Sequence, residues 1–303
     1  MSGFVQQQSV ECRFESSDSW VILSPIEQSI KRKIESVGTP LKDWDIQINY
    51  GIKTGFNDAF IISTEKRNEI LDNCSSEEER AKTAELIRPI LRGRDIKRYG
   101  YNWADLWLIA TFPSRHYDIE DYPAVKNHLL LYGKERLEQT GKKYIINEEE
   151  IKARKKTSNK WFETQDSISY WEDFNKPKIV WKRVGSILRF CYNNNGALGL
   201  DSTCFATGNN IEFICCVLNS PMGHYLLKDA PKTGTGDLLI SVQAVEPIKV
   251  PIITKEQNSI FEEALKELIH YNSTEKEKEI SHKVFDLYNL SHEEQKYIES
   301  NFT

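Results

Sequence analysis

Two hydrophobic periods take turns along this chain. Ser24-Pro25-Ile26-Glu27 carries a serine at the N-cap, a proline at the first helical position and a glutamate that closes a capping box. Ile26, Ile30, Ile34 and Val37 then form one helical stripe, ending at Gly38, where a left-handed stop is expected. The period next drops to two: Trp44, Ile46, Ile48 and Tyr50 alternate with Asp43, Asp45, Gln47 and Asn49, which predicts a half-buried strand. Residues 51–57 read as its turn and 59–62 as the returning strand. Thr64 and Ser76 cap two charged helices, the second boxed by Glu79, and Pro89 ends that run. Residues 106–110 predict a short strand, and Pro123 opens a helix expected to reach about Gln139. Between 141 and 161 the chain is polar, lysine-rich and weakly periodic, which predicts an exposed loop.

The second half repeats the mixture. Strands are expected at 178–184 and 187–192, hinged at Gly185-Ser186, and the turn Asn193-Asn194-Asn195-Gly196 leads to a strand pair near 198–205. Apolar helices follow at 211–218 and 222–227, with Ser220-Pro221 as a fresh cap, then a glycine loop, Lys232-Thr233-Gly234-Thr235-Gly236. Pro247-Ile248-Lys249-Val250-Pro251 is extended, because each proline biases its predecessor away from helix. From Thr254 onward the pattern is helical and acidic. Interleaved strands and helices of this kind place the chain in the α/β class, as a mixed α+β fold.

Charge adds something the hydrophobic pattern does not. The formal charge of −5 is uneven: residues 256–303 carry five Lys/Arg against eleven Asp/Glu, so the rest of the chain is close to neutral. Residues 142–183 hold eleven basic and seven acidic side chains, including Lys152, Arg154, Lys155, Lys156 and Lys160. Such a strip is the electrostatic footprint of phosphate contact, although lysine runs are commonly no more than solvated surface. No apolar run is long enough for a membrane span and the first ten residues lack a signal-peptide core, so a cytoplasmic location without membrane contact is expected. The six cysteines, at 12, 74, 191, 204, 215 and 216, show neither metal-ligand nor disulfide spacing and are expected to be buried apolar residues.

Several short motifs in fixed order carry a family resemblance. They are Gly51-Ile52-Lys53-Thr54-Gly55-Phe56-Asn57, Arg92-Gly93-Arg94-Asp95-Ile96, Lys160-Trp161-Phe162-Glu163, Lys176-Pro177-Lys178-Ile179-Val180, Leu218-Asn219-Ser220 and the Pro247–Pro251 segment. Together they resemble the TaqI-like specificity domain, the target-recognition half of adenine-specific restriction-modification methyltransferases, which is related to type I specificity subunits. Phe162 stands where that family often has tyrosine, and nothing before Trp20 matches. The resemblance implies a recognition domain with a mixed sheet and flanking helices over residues 20–253, an N-terminal extension at 1–19 and a helical tail at 254–303. It also implies double-stranded DNA and a methyltransferase domain or subunit as partners. S-adenosylmethionine, with Mg²⁺ if the system cleaves, would be held by that partner. This chain itself has no Asn/Asp-Pro-Pro-Tyr/Phe motif for a flipped adenine and no glycine-rich cofactor turn, so no catalytic residue and no cofactor are expected in it.

The candidate DNA contacts are the residue types that suit phosphate or base edges in these motifs. They are Lys53, Thr54 and Asn57 in the first glycine segment, and Arg92, Arg94, Lys97 and Arg98 around Gly93. Arg115 lies after a strand end, Lys155, Lys156 and Lys160 in the basic strip, Lys182 and Arg183 in a strand, and Lys232 and Thr233 in the glycine loop. Since strand side chains alternate, only one of Lys182 and Arg183 is expected to face DNA. For the Arg92–Arg98 cluster, ion pairing with Asp95 or the Glu77–Glu79 run is an equally weighted alternative. Two other functions stay open on the residues alone. Asp121, Glu150 and Lys152 mimic the Asp…Glu-x-Lys set of Mg²⁺-dependent nucleases, and the acidic tail suits a protein-interaction module.

Overall fold

A computed structural model describes residues 23–271 and 273–302, so the extension expected at 1–19 and Cys12 lie outside the described residues. The organising element is a four-stranded antiparallel sheet in the order Phe190–Asn193, Lys178–Lys182, Thr203–Gly208, Ile46–Tyr50. Three of its strands, all but Ile46–Tyr50, bury residues on both faces, and the two-residue alternation divides these between two cores. Ile179, Trp181, Phe190, Cys204 and Ala206 join one core; Val180, Cys191 and Phe205 join the other.

The first core is covered by helices. Ile211–Asn219 lies against the sheet, and the C-terminal helices Lys255–Tyr271 and Thr274–Leu287 pack on it, with the Phe213 and Phe261 rings 4.8 Å apart. Residues beyond 254 thus share this core with the body of the chain. Tyr288 donates to the Lys249 carbonyl at 2.9 Å, and Glu294 accepts from Ser29 and Lys33 at 2.7 and 2.6 Å. The second core fills the space between the opposite face and a smaller sheet, ordered Leu198–Gly199, Ile87–Leu91, Leu106–Ile109, Ile61–Ser63. No helix among the described residues is long and apolar enough to cross a membrane.

The local signals that need no distant partner come out as expected. Ser24 and Glu27 close their capping box, and helix Pro25–Val37 follows. Ser220 caps Pro221–Leu226. Cys191, Cys204, Cys215 and Cys216 are buried, whereas Cys74, expected with them, is half-buried. Asn219, in one of the family-like motifs, accepts from the Phe190 N–H at 3.1 Å and donates to the Phe190 carbonyl at 2.7 Å. It thereby ties the end of helix Ile211–Asn219 to the edge of the main sheet.

Other expectations need correction, mostly where pairing is non-local. Ile46–Tyr50 does not turn back on 59–62; it pairs with Thr203–Gly208, while residues 57–60 are a helical turn and Ile61–Ser63 joins the second sheet. Leu198–Gly199 and Thr203–Gly208 likewise belong to different sheets. Gly38 is extended (φ −90°) because it opens a strand paired with Lys249–Pro251. Glu79 reaches back to Ser75 instead of Ser76, and Pro89 lies inside strand Ile87–Leu91. The helix from Pro123 stops at Leu130 and resumes at Lys134–Leu137, interrupted by Gly133 at φ +84°. The polar region expected as a loop contains a hairpin, Lys143–Ile146 with Glu149–Lys152, whose corner residues Asn147 and Glu148 both have positive φ (51° and 68°), as a type I′ turn requires.

One half-buried group gives the fold a pH dependence. His224 shares its ring nitrogen Nδ1 with the Phe302 carbonyl at 3.1 Å, while Nε2 is buried without a partner. Burial, reinforced by the nearby Arg98 charge, pulls the imidazole down to about 4 from its ordinary 6.5, against the bond to Phe302. Between those values the unfolded chain binds the extra proton and the folded one does not. Stability therefore falls as pH drops through that window, by about 3 kcal/mol in total. Urea unfolding at pH 7 and pH 4 is expected to show this loss, and a His224→Leu variant should lose less on acidification by that amount. An equal acid loss in the variant would assign the effect to other groups.

Candidate functional site

Arg92-Gly93-Arg94-Asp95 folds as a tight helical turn at the end of strand Ile87–Leu91. Asp95, buried, accepts from the Arg92 backbone N–H at 2.8 Å and from its guanidinium at 3.0 and 2.8 Å. Gly93 allows the turn to lie against the neighbouring strand: a Cβ there would meet Lys182 Cγ at 2.8 Å, and the Gly93 N–H donates to Ser202 Oγ at 3.1 Å. The clamp leaves Arg94 exposed above the turn.

Opposite Arg94 stands the loop between strands Val184–Gly185 and Phe190–Asn193. It is held at both ends, since Val184 and Gly185 pair with Leu239 and Leu238 while Leu188 is buried. Between turn and loop runs a cleft of about 270 Å³ lined by Gly93, Arg94, Ile96, Lys182, Gly185, Ser186, Ile187 and Arg189. Three of these side chains are cations and none is a carboxylate. None of the three forms an ion pair among the described residues. Lys97 is exposed nearby in sequence and equally free of an ion pair.

A second cleft shares Ser186 and Ile187 with the first and is lined further by Leu188, His224, Lys228, Lys232, Gly236, Leu238 and Phe302. A third contains Lys53, Arg183, Asp166, Asp201, Tyr50 and Tyr170, and there the cations face two acids. Lys182 and Arg183 line different clefts, but not by strand alternation: Lys182 ends strand Lys178–Lys182, while Arg183, expected within a strand, lies at the bend before Val184–Gly185.

The remaining candidates divide clearly. Lys53 and Asn57 are exposed, whereas Thr54 is a correction: it is 1% exposed, and its hydroxyl donates to Asn57 Oδ1 at 2.6 Å and accepts from the Phe56 N–H. Arg92 takes the ion-pairing alternative, bonded to Asp95. Arg98 is ion-paired too, but with Glu277 at 3.1 Å instead of Asp95 or the Glu77–Glu79 run, and it donates to the Asn219 carbonyl at 2.9 Å, tying the body to the C-terminal helices. Thr233 is half-exposed and bonded within its own loop, its N–H to the Asp237 carbonyl at 2.8 Å and its hydroxyl to the Thr235 hydroxyl. Lys232 lines the second cleft. Arg115 is exposed but stacked 3.8 Å above the Trp171 ring, at the mouth of a separate cleft lined by Phe112, Tyr117 and Tyr122. Lys155, Lys156 and Lys160 remain exposed.

Arg154, read with them as part of one basic strip, is 4% exposed and donates to the carbonyls of Leu137, Thr54, Glu163 and Trp161 at 2.7–2.8 Å. Arg189 is the cleft residue that sequence reasoning missed. Its signal was available in the spacing from Lys182 across the Gly185-Ser186 hinge. As for the nuclease set, Glu150 pairs with Lys143 on the hairpin and Asp121 sits in a helical turn ahead of Pro123. Among the described residues no group of three His, Cys, Asp or Glu could hold a metal ion.

No curated protein matches the chain. Among solved structures, a chain of the Type IIL restriction-modification enzyme MmeI, determined in complex with DNA, superposes with a TM-score of 0.54 at 12% identity over 86% of this chain and 36% of that one. The type IIG restriction endonuclease BpuSI gives 0.49 at 12% identity, over 87% of this chain and 32% of that one. This chain spans about a third of the length of either, and the MmeI superposition speaks for a common fold. A model of the TaqI-like C-terminal specificity domain matches residues 88–242, about half of the sequence, a span that contains both the clamped arginine turn and the loop facing it. The chain belongs to the family of TaqI-like C-terminal specificity domains.

Proposed function

We propose that this chain reads duplex DNA for a restriction-modification system, gripping it along the cleft between the Arg94 turn and the Gly185–Arg189 loop. The observation that carries the reading is the composition of that cleft: Arg94, Lys182 and Arg189 converge on it with no carboxylate among its lining residues. On a chain of net charge −5 such a concentration of unpaired cations is a local field suited to phosphates. Arg94 and Arg189 have the planar fork that engages phosphate or the guanine edge bidentately. Lys232 extends the band, and Lys53 with Arg183 borders the mixed third cleft.

The finer reading concerns the partner. A methyltransferase that modifies adenine N6 must take the base out of the stack, and its own domain covers only part of the duplex. A second body that grips the backbone and reads base edges supplies sequence choice. In this reading S-adenosylmethionine, the flipped adenine and any Mg²⁺ for cleavage belong to a separate catalytic domain or subunit, and the present chain contributes no catalytic group.

The test is retention of a randomised duplex pool at two salt concentrations, followed by sequencing. Enrichment of a short motif, with affinity falling steeply as salt rises, is the expected result. Absence of salt-sensitive retention would remove the reading.

A further inference from the structure

Among the residues lining the cationic cleft, Ile187 is the anomaly. It is 62% exposed, lies at the crest of the Gly185–Arg189 loop, and lines both that cleft and the adjoining one with Lys232. A single exposed isoleucine on a protein surface needs no explanation. This one differs in its surroundings and its support. Arg94, Lys182 and Arg189 lie on one side of it and Lys232 on the other. The loop that carries it is anchored before the crest by the pairing of Val184 and Gly185 with Leu239 and Leu238, and after it by buried Leu188. The apolar side chain is thus held out from a rigid base, between groups suited to phosphates.

We infer that Ile187 is a specificity-determining residue, which reads a base pair through apolar contact with the C5-methyl group of thymine in the major groove. Cations that hold the backbone set position and register but carry no sequence information, so discrimination must come from whatever they bring against the base edges. Of the four bases only thymine presents a methyl group in that groove. A branched aliphatic side chain without hydrogen-bonding capacity is matched to that group and not to the donors and acceptors that make up the rest of the base-edge pattern. The neighbouring Ser186 hydroxyl, also exposed, can engage a donor or acceptor beside it. The assignment rests on the DNA-binding reading above and specifies one of its contacts.

The experiment uses the whole chain and two randomised duplex pools, one with thymine and one with uracil in every thymine position, so that only the methyl group differs. The wild-type chain is expected to enrich an A·T pair at one position of its motif from the thymine pool. That preference should be about fourfold weaker from the uracil pool, the value of one buried methyl group. Ile187→Ala should give the weakened profile from both pools, and Ile187→Thr, which keeps one branch methyl, an intermediate one. Because the side chain is mostly exposed, both variants should unfold at the wild-type urea concentration, which separates readout from folding. Full thymine-over-uracil discrimination in Ile187→Ala, or a wild-type motif identical in both pools, would overturn the assignment while leaving DNA binding intact. Failure of the wild-type chain to retain either pool would overturn both.

Discussion

Arg154→Ala is expected to lower the unfolding free energy by about 4 kcal/mol, because it removes a buried charged donor from several carbonyl groups at once. The guanidinium joins segments far apart in sequence. Its Nε bonds the Leu137 carbonyl, Nη1 those of Thr54 and Glu163, and Nη2 that of Trp161, while its Cζ lies 5.0 Å from the centre of the Phe60 ring. Burial pulls this guanidinium down to about 10, opposed by Glu138 and Glu163, and at neutral pH it still carries its charge. Alanine would leave these carbonyls without their donor in a space closed to bulk solvent. Arg154→Lys keeps the charge but has too few donors in the wrong geometry, and is expected to recover less than half of the loss. Urea unfolding of the three proteins decides the matter. A loss below about 1 kcal/mol for alanine would mean that water takes over the carbonyls.

The largest functional effect is expected from replacing Arg94, Lys182 and Arg189 together by alanine. If each neutralises one phosphate, the dependence of log K on log salt should become shallower by about 2.7, and affinity at low salt should drop by about two to three orders of magnitude. None of the three supports the fold through an ion pair among the described residues, so the variant should unfold at the wild-type urea concentration. Titration of the selected duplex at several salt concentrations gives both quantities. Unchanged affinity and slope would move the interface away from this cleft, with the Arg115 cleft the next place to look. Arg92 serves as the contrast. Its substitution should act by loosening the turn that presents Arg94, so that stability and affinity fall together.

The arginine-rich segment shows how far a linear reading reaches. Arg92, Arg94, Lys97 and Arg98 look alike in the sequence, four cations within seven residues. Folding separates them by role: Arg92 closes a turn with Asp95, Arg98 ties Asn219 to Glu277, and Arg94 and Lys97 are left facing solvent. The basic strip divides in the same way, Arg154 going to the interior while Lys155 and Lys156 stay outside. A charged residue type and its spacing carry no information on which carboxylate or carbonyl will arrive beside it from another part of the chain.

What the sequence by itself determined was local: the Ser24–Glu27 capping box, the Ser220-Pro221 helix start, the strand alternation at Ile46–Tyr50, two residues short of where Trp44 would have begun it, and the family motifs in their order. These depend on backbone geometry and neighbours within a turn or a pleat, so their physics is complete within a few residues. The tertiary structure alone decided that Ile46–Tyr50 pairs with Thr203–Gly208, that the acidic C-terminal helices complete the first core, and that Arg189 and Ile187 meet Arg94 across one cleft. Strand partnership and the company of a side chain are set by which apolar faces can be buried together across the whole chain, and that competition is not visible in any window of sequence.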